Sequence, residues 1–496
     1  MAYDIDHEAY STIALSRPVL NLFPSLISLN VVVPFPPSAN LPHLSLFLCE
    51  GLRRLTVTTP RAVRIGDGLD YGDESEGGGD VDLASVDITS WSLFFADVLR
   101  SPHIEHLTLT PMWNPHAINQ TLSSFLESLK DLQTLTIYDA LLTSKVVSTL
   151  SRCPRLEVVQ GRSLVPPISK SEGPDSPIFD DDSDESVESD SEEPFSPVLL
   201  PSAFPVLHAL SLRANVTDIT TFVNATFFPC SSLTSLCIHT LHQEVSRNIK
   251  SLFTTLAELC AGLTKVVIRM PEVTVEGPNL YGAYRFGMEL EFVDFDVIEP
   301  LCTLSNLRSF TLNTLYPLSL SDDKIRQMAS AWPELEELDL NHFPSPAFNP
   351  LQRLTLAGVA AFAELCHNLC ILKLHILPEL DYDSYLEPPK PFHKLDELVV
   401  SILHPRRYDT AGFAAFLADV IPSKCSVTHH CYQESTLVRR GYGFGVPMDR
   451  WWLMESEESW RNVEYWMPRM RQMEDRWFGL KWKEHRVLND ATLPGF

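Results

Sequence analysis

Apolar side chains recur along the chain with one spacing. Eleven of twelve short segments carry them at offsets 0, 3 and 5, counted from the first residue of the segment. The exception is the fifth segment, which has Gly161 at offset 5. Because alternate residues of a strand face the same side, offsets 3 and 5 are predicted to point into a core. The twelve segments begin at Leu26, Leu52, Ile104, Leu132, Leu156, Leu207, Leu233, Leu263, Leu307, Leu335, Leu369 and Leu395.

Stretches with helical spacing of apolar residues lie between these strands, over 118–131, 248–262, 324–332 and 359–368. Most strand segments begin 24–30 residues after the preceding one, which suits one strand and one helix per repeat. A doubly wound α/β enzyme also alternates strand and helix, but it would need longer strands and a Gly-rich phosphate turn. The spacing therefore predicts an α/β solenoid with a parallel β-sheet on the concave face and helices on the convex face.

The repeated phrases resemble those of a known family. "LFPSLISLNV", "WPELEELDL" and "CHNLCILKL" resemble the leucine-rich repeats of fungal F-box proteins, over roughly residues 20–405. This resemblance implies a leucine-rich repeat solenoid that recognises a substrate, and an F-box that docks the adaptor of a cullin ubiquitin ligase. Residues 1–20 contain no Leu-Pro-x-Glu-like F-box phrase. The sequence thus predicts either an F-box on an upstream segment or a repeat protein without one.

Composition divides the chain into three regions with two insertions. Residues 1–20 are predicted to be an N-terminal cap segment, 21–405 the solenoid, and 406–496 a Trp-rich helical C-terminal cap, with a partner-binding helix as the alternative for the last region. An acidic loop is expected at 66–82 and a disordered acidic insertion at 165–203, where few apolar residues oppose the entropy cost of ordering. The long insertion is either a solubilising loop or a segment regulated by phosphorylation.

The charge of the chain narrows the class of partner. The net charge is −26, which argues against nucleic acid as a partner. The sequence has no run of 18 apolar residues and no secretory signal, so no membrane partner is expected, and the predicted location is cytoplasmic or nuclear. The ten cysteines are expected to be reduced.

The sequence shows no catalytic motif. Gly-x-Ser-x-Gly, the Walker phosphate loop and His-Glu-x-x-His are all missing from it. His429, His430 and Cys431 are adjacent and cannot all point at one metal ion from regular structure. We therefore expect no catalytic residue, no cofactor and no metal site, so the protein is predicted not to be an enzyme; a cryptic enzyme built from distant residues is the remote alternative.

A binding surface is expected where offsets 2, 4 and 6 of each strand face away from the core. This face carries hydroxyls, then basic residues, then acids, so a protein partner with charges of both signs fits it. The predicted function is selection of a protein partner, as the substrate-recognition part of an SCF-type ubiquitin ligase or, alternatively, as a regulatory scaffold with no ligase link. The candidate residues are Tyr138, Arg213, His239, Lys265, Arg269, Asn313, Glu337, Asp339, Asn341, Lys373 and His375.

Overall fold

The computed structural model describes residues 23, 25–32, 47–58, 88–99, 101, 103–110, 115–162, 194–271, 293–314, 318–342, 354–376, 390–402, 410–429 and 461–469. Among these, the residues up to His239 form one compact unit, and those from Thr240 onward form a second. The predicted N-terminal cap at 1–20, the acidic loop at 66–82 and most of the acidic insertion lie outside the described residues.

The first unit contains parallel strands that pair in chain order. They are β1 (Ser28–Val32), β2 (Arg54–Thr58), β3 (His106–Thr110), β4 (Thr134–Tyr138), β5 (Val158–Arg162), β6 (Ala209–Arg213) and β7 (Ser235–His239). The helices between them are α1 (Ile88–Val98), α2 (Pro115–Ser128), α3 (Ser144–Leu150) and α4 (Val216–Val223). A single 3-10 turn, Asp139–Leu141, directly follows β4.

The second unit repeats the same arrangement. Its strands are β8 (Lys265–Arg269), β9 (Ser309–Asn313), β10 (Glu337–Leu340), β11 (Ile371–Ile376), β12 (Glu397–Ile402) and β13 (Ser426–His429), again parallel and paired in order. The helices are α5 (Ser246–Leu259), α6 (Phe295–Ile298), α7 (Asp322–Ala331), α8 (Leu356–Leu365) and α9 (Thr410–Val420). A further helix covers 461–469.

The apolar spacing seen in the sequence builds the core of each unit. The residues at offset 3 lie beside one another on neighbouring strands; from β2 to β7 of the first unit this ladder is Leu55, Leu107, Leu135, Val159, Leu210 and Leu236. In the second unit it is Val266, Phe310, Leu338, Leu372 and Leu398. All of them are buried. Burying one such side chain stabilises the fold by roughly 1.5–3 kcal/mol, so the repeated spacing determines which side of each sheet is covered.

The residue at offset 0 reaches the core from a turn before the strand. Before β10 the backbone N–H of Leu335 donates to the carbonyl oxygen of Trp332 at 3.1 Å, and before β11 that of Leu369 donates to the carbonyl oxygen of Cys366 at 3.2 Å. The indole N–H of buried Trp332 donates to the Leu301 carbonyl at 3.1 Å, which joins one repeat to the one before it. Leucine at offset 0 therefore packs beneath the strand that follows it.

The four helices predicted from apolar spacing are present, and each begins two or three residues earlier than predicted. In α8 the earlier start reflects polar capping, which the apolar pattern does not show. The hydroxyl of Thr355 accepts a hydrogen bond from the N–H of Ala357 at 3.2 Å, and the carboxylate of Asp322 accepts one from the N–H of Gly358 at 2.9 Å. Helix α8 therefore begins at Leu356, although its apolar face was predicted from residue 359 onward.

Packed structure extends beyond two of the predicted boundaries. Residues 194–203, which the sequence placed in the disordered insertion, include a buried Phe195 whose ring packs against Phe222 at 5.6 Å. The N–H of Ser196 donates to the Ser144 hydroxyl at 2.8 Å, so this end of the insertion lies along α3. After residue 405, α9 and β13 continue the repeat, because β13 pairs in parallel with β12.

Each unit therefore has an α/β leucine-rich repeat solenoid fold, with a parallel sheet on one side and helices on the other, as the spacing predicted. Among the described residues, we find no helix with the length and apolar character needed to cross a membrane.

Candidate functional site on the sheet faces

The candidate surface in each unit is the side of the sheet that faces away from the helices, here called the sheet face. It carries the side chains at offsets 2, 4 and 6 of each strand. In the first unit, the strand register places Ser211 beside Cys237 and Arg213 beside His239. Tyr138, another predicted residue, lies beside Arg162 at the end of β4 and β5 and is half-buried.

A buried acid lies beside two of the predicted binding residues on the sheet face of the first unit. The carboxylate of Asp139, whose side chain is 1% exposed, lies 3.6 Å from Nη1 of Arg213 and 3.9 Å from Nδ1 of His239. Two of the predicted binding residues are thus held by an acid that follows β4 in a 3-10 turn. Buried carboxylates require such partners because desolvation penalises an isolated charge.

Gly161 allows Asp139 to reach this position. A Cβ built on Gly161 would lie 2.9 Å from the Ser211 hydroxyl oxygen, 3.1 Å from Cβ of Asp139 and 3.4 Å from a methyl carbon of Leu142. Real Cβ contacts below 3.0 Å are essentially never seen. The one strand segment without an apolar residue at offset 5 is therefore the one over which the Asp139 turn packs.

An exposed ion pair crosses three strands of the second unit. Nζ of Lys265 on β8 lies 3.6 Å from the carboxylate of Glu337 on β10, and both side chains are 46% exposed. Between them on β9, the small and buried Ser309 donates its hydroxyl to Glu337 at 2.9 Å. Pairs this exposed contribute about 0–1 kcal/mol to stability, so a partner could replace them at little cost.

Further charged side chains continue across the same face. Lys373 on β11 pairs with Glu397 on β12 at 3.2 Å, and both remain partly exposed. The carboxylate of Asp339 on β10 lies 2.8 Å from Nδ1 of His342, and the Asp339 side chain is 15% exposed. Arg269 at the end of β8 is exposed, and Asn313 beside it on β9 is half-buried. The face therefore carries both basic and acidic groups between β8 and β12.

Two predicted residues of the second unit lie below the accessible surface. Asn341 is 2% exposed and has a left-handed backbone with φ 49°; its side-chain oxygen accepts from the N–H of Thr314 at 3.2 Å. His375 is also 2% exposed, and its Nδ1 lies 2.7 Å from the hydroxyl of buried Ser401. Burial lowers the pKa of His375 to about 3, so this imidazole is neutral at physiological pH. Both side chains serve internal hydrogen bonds.

Sequence reasoning missed the partners of these residues. Asp139, His342 and Ser401 were not singled out, and Glu397 stands at offset 2 of the last predicted segment without having been chosen. The Gly161 exception was a usable signal for Asp139, since an absent side chain in a repeat marks a place where another segment enters. Among the residues that the structure describes, no three His, Cys, Asp or Glu side chains lie close enough together to bind a metal ion.

Comparison with known proteins gives likenesses in structure alone. Neither a protein-family model nor a curated protein sequence matches the chain. Rad7, solved in complex with Elc1 in yeast, aligns over 86% of this chain and 88% of its own with 13% identity and a TM-score of 0.38. The leucine-rich repeat-containing protein LegL7 from Legionella pneumophila aligns over 81% and 89% with 10% identity and a TM-score of 0.34.

A third solved structure, of a TLR13–ssRNA13 complex, aligns over 75% of this chain and 48% of its own, with 14% identity and a TM-score of 0.27. The chain thus spans about half the length of that protein. At these identities and TM-scores the likenesses carry no assignment of function.

Proposed function

We propose that this protein is an interaction module that binds a protein partner on the sheet face of its second unit. One observation carries the proposal: Lys265, Glu337, Lys373 and Glu397 form exposed or half-exposed ion pairs across the strands of one sheet face. Charges of both signs on this surface favour a partner with complementary charges of both signs. A partner with a different charge pattern would bring like charges into contact, which disfavours its binding.

The arrangement of these pairs suits recognition better than stability. Each pair is open to solvent, so its net contribution to folding is small. A partner that supplies its own acids and bases exchanges internal pairs for intermolecular ones and desolvates them together. Arg269, exposed at the end of β8, adds a cation at the edge of this surface.

The proposal has two forms, and the resemblance to fungal F-box proteins supports the first, here called the ligase form. In that form the sheet face selects a substrate, and an F-box joins the adaptor of an SCF-type ubiquitin ligase. In the scaffold form the same face holds a partner without any ligase subunit. The two forms share one binding surface and differ in which proteins accompany it.

Affinity purification of the tagged protein from its native cells, followed by quantitative mass spectrometry, tests the proposal. The binding variant is Lys265→Glu with Arg269→Glu. The control is Arg247→Glu with Lys250→Glu, which makes the same charge change at exposed positions of α5, on the helix side of the same unit. We expect the amount of one co-purifying protein to fall at least about tenfold with the binding variant, because one to two interfacial charge contacts are lost. The control should retain this protein.

The accompanying proteins then separate the two forms. Adaptor and cullin subunits in stoichiometric amounts, retained by both variants, would support the ligase form. A partner lost from the binding variant with no adaptor or cullin present would support the scaffold form. Identical sets of proteins with the binding variant and the control would contradict the proposed surface.

A further inference from the structure

The sheet face of the first unit brings a cysteine, a histidine and an acid into contact. Cys237 and His239 stand two residues apart on β7, so both side chains lie on the same side of the strand. Sγ of Cys237 is 3.4 Å from Nε2 of His239, within hydrogen-bond distance for sulfur. The Cys237 side chain is partly exposed, so a small reagent can reach it.

The other ring nitrogen of His239 faces the buried acid. Nδ1 lies 3.9 Å from Oδ2 of Asp139, and the two side chains are 12% and 1% exposed. A carboxylate on the Nδ1 side favours the tautomer with its proton on Nδ1, which leaves Nε2 free of a proton and directed at the thiol. It also stabilises the imidazolium that forms when Nε2 accepts a proton. Arg213 shares the same carboxylate at 3.6 Å and adds positive charge nearby.

Several other cysteines that the structure describes lie in surroundings that suppress reactivity. Burial raises the pKa of Cys153 to about 11 and that of Cys366 to about 12, so both remain protonated thiols at neutral pH. Cys230 is partly exposed like Cys237 and belongs to the same unit, but its thiol lies 3.7 Å from the carbonyl oxygen of Val223. A carbonyl accepts a hydrogen bond from the thiol and cannot take its proton.

We propose that Cys237 is a nucleophilic thiol, activated by His239, and that it is a site of oxidation by peroxides. The thiol proton moves to Nε2 of His239, and the thiolate attacks one oxygen of hydrogen peroxide. The S–O bond forms as the O–O bond breaks, and the departing hydroxide takes the proton from the imidazolium. Cys237 thereby becomes a sulfenic acid, oxidised by two electrons, while peroxide is reduced to water. This site is independent of the surface proposed for partner binding.

The rate of sulfenic acid formation at each cysteine tests this assignment. The full chain is treated with limiting hydrogen peroxide in the presence of dimedone, and labelled peptides are quantified by mass spectrometry over time. We expect Cys237 to react about tenfold faster than Cys230. Only a few per cent of an ordinary thiol is ionised at pH 7, so activation by His239 can raise the thiolate fraction more than about tenfold. The lower nucleophilicity of a more acidic thiolate offsets part of this gain. His239→Gln should lower the rate at Cys237 about tenfold and leave Cys230 unchanged.

Two controls distinguish activation from loss of structure. His106→Gln changes a histidine on β3, four strands away, and should leave the rate at Cys237 unaltered. Buried Cys153 reports on folding, since its labelling rises if the unit opens. The assignment fails if Cys237 reacts no faster than Cys230 in the unaltered protein, a comparison that needs no variant. It also fails if His239→Gln leaves the rate at Cys237 unchanged.

Discussion

Gly161 lies directly beneath Asp139: a Cβ on the glycine would stand 3.1 Å from Cβ of the acid. This approach lets a turn after β4 place its carboxylate next to Arg213 and His239, which lie 74 and 100 residues later in the chain. The position that interrupts the apolar spacing is therefore the one that makes room for the buried acid of the first unit.

We predict that Gly161→Ala destabilises the protein by about 1–3 kcal/mol, because the added methyl group must displace Ser211 or the Asp139 turn. The measurement is the free energy of unfolding from urea denaturation. Glu157→Ala is the control, since this side chain is exposed at the start of the same segment and its removal should change stability by less than about 0.5 kcal/mol. Equal stability of the two variants would contradict the close approach.

The carboxylate of Asp322 joins two successive repeats of the second unit. It accepts hydrogen bonds from the N–H of Thr355 at 2.9 Å, the hydroxyl of Thr355 at 2.7 Å and the N–H of Gly358 at 2.9 Å. It therefore satisfies the backbone at the start of α8 from the start of α7.

We expect Asp322→Ala to lower the free energy of unfolding by about 1–3 kcal/mol, because two backbone N–H groups lose their acceptor. Asp323→Ala removes an exposed carboxylate one residue later in the same helix and serves as the matched control. Thermal or urea denaturation of the two variants gives the comparison. If Asp323→Ala cost as much as Asp322→Ala, general helix-dipole effects rather than the inter-repeat cap would explain the loss.

His375 predicts a dependence of stability on pH. Burial lowers its pKa from 6.5 to about 3, so below pH 6.5 the unfolded chain takes up a proton that the folded protein does not. The stability contributed by the neutral imidazole is therefore complete above pH 6.5 and is lost as pH falls toward 3. The loss should be on the order of 1 kcal/mol per pH unit.

Urea denaturation at pH 7, 6 and 5 measures this effect. His375→Gln should weaken the fall in stability between pH 7 and 5, whatever its stability at pH 7, because glutamine does not titrate. His393→Gln, at an exposed histidine of the same unit, should keep the slope of the unaltered protein. Parallel slopes for all three proteins would exclude His375 as the titrating group.

Much of the fold followed from the sequence. The offsets of Leu335, Leu338 and Leu340 predicted one turn residue and two core residues of β10, and all three side chains are buried. The same rule placed Lys265 and Glu337 on the other side of the strands, where the structure pairs them. This works because the side of a strand that a residue faces depends only on its position along that strand.

The sequence by itself thus determined the repeat, its apolar faces and the position of its single irregularity at Gly161. Only the tertiary structure decided that Asp139 occupies that gap, that Cys237 and His239 meet beside it, and that Asn341 and His375 are buried whereas Lys265 and Arg269 are exposed. Periodicity fixes the direction of a side chain, a local property. Burial, ion pairing and the contacts that set reactivity depend on segments dozens of residues away, and those distances are set only when the repeats stack.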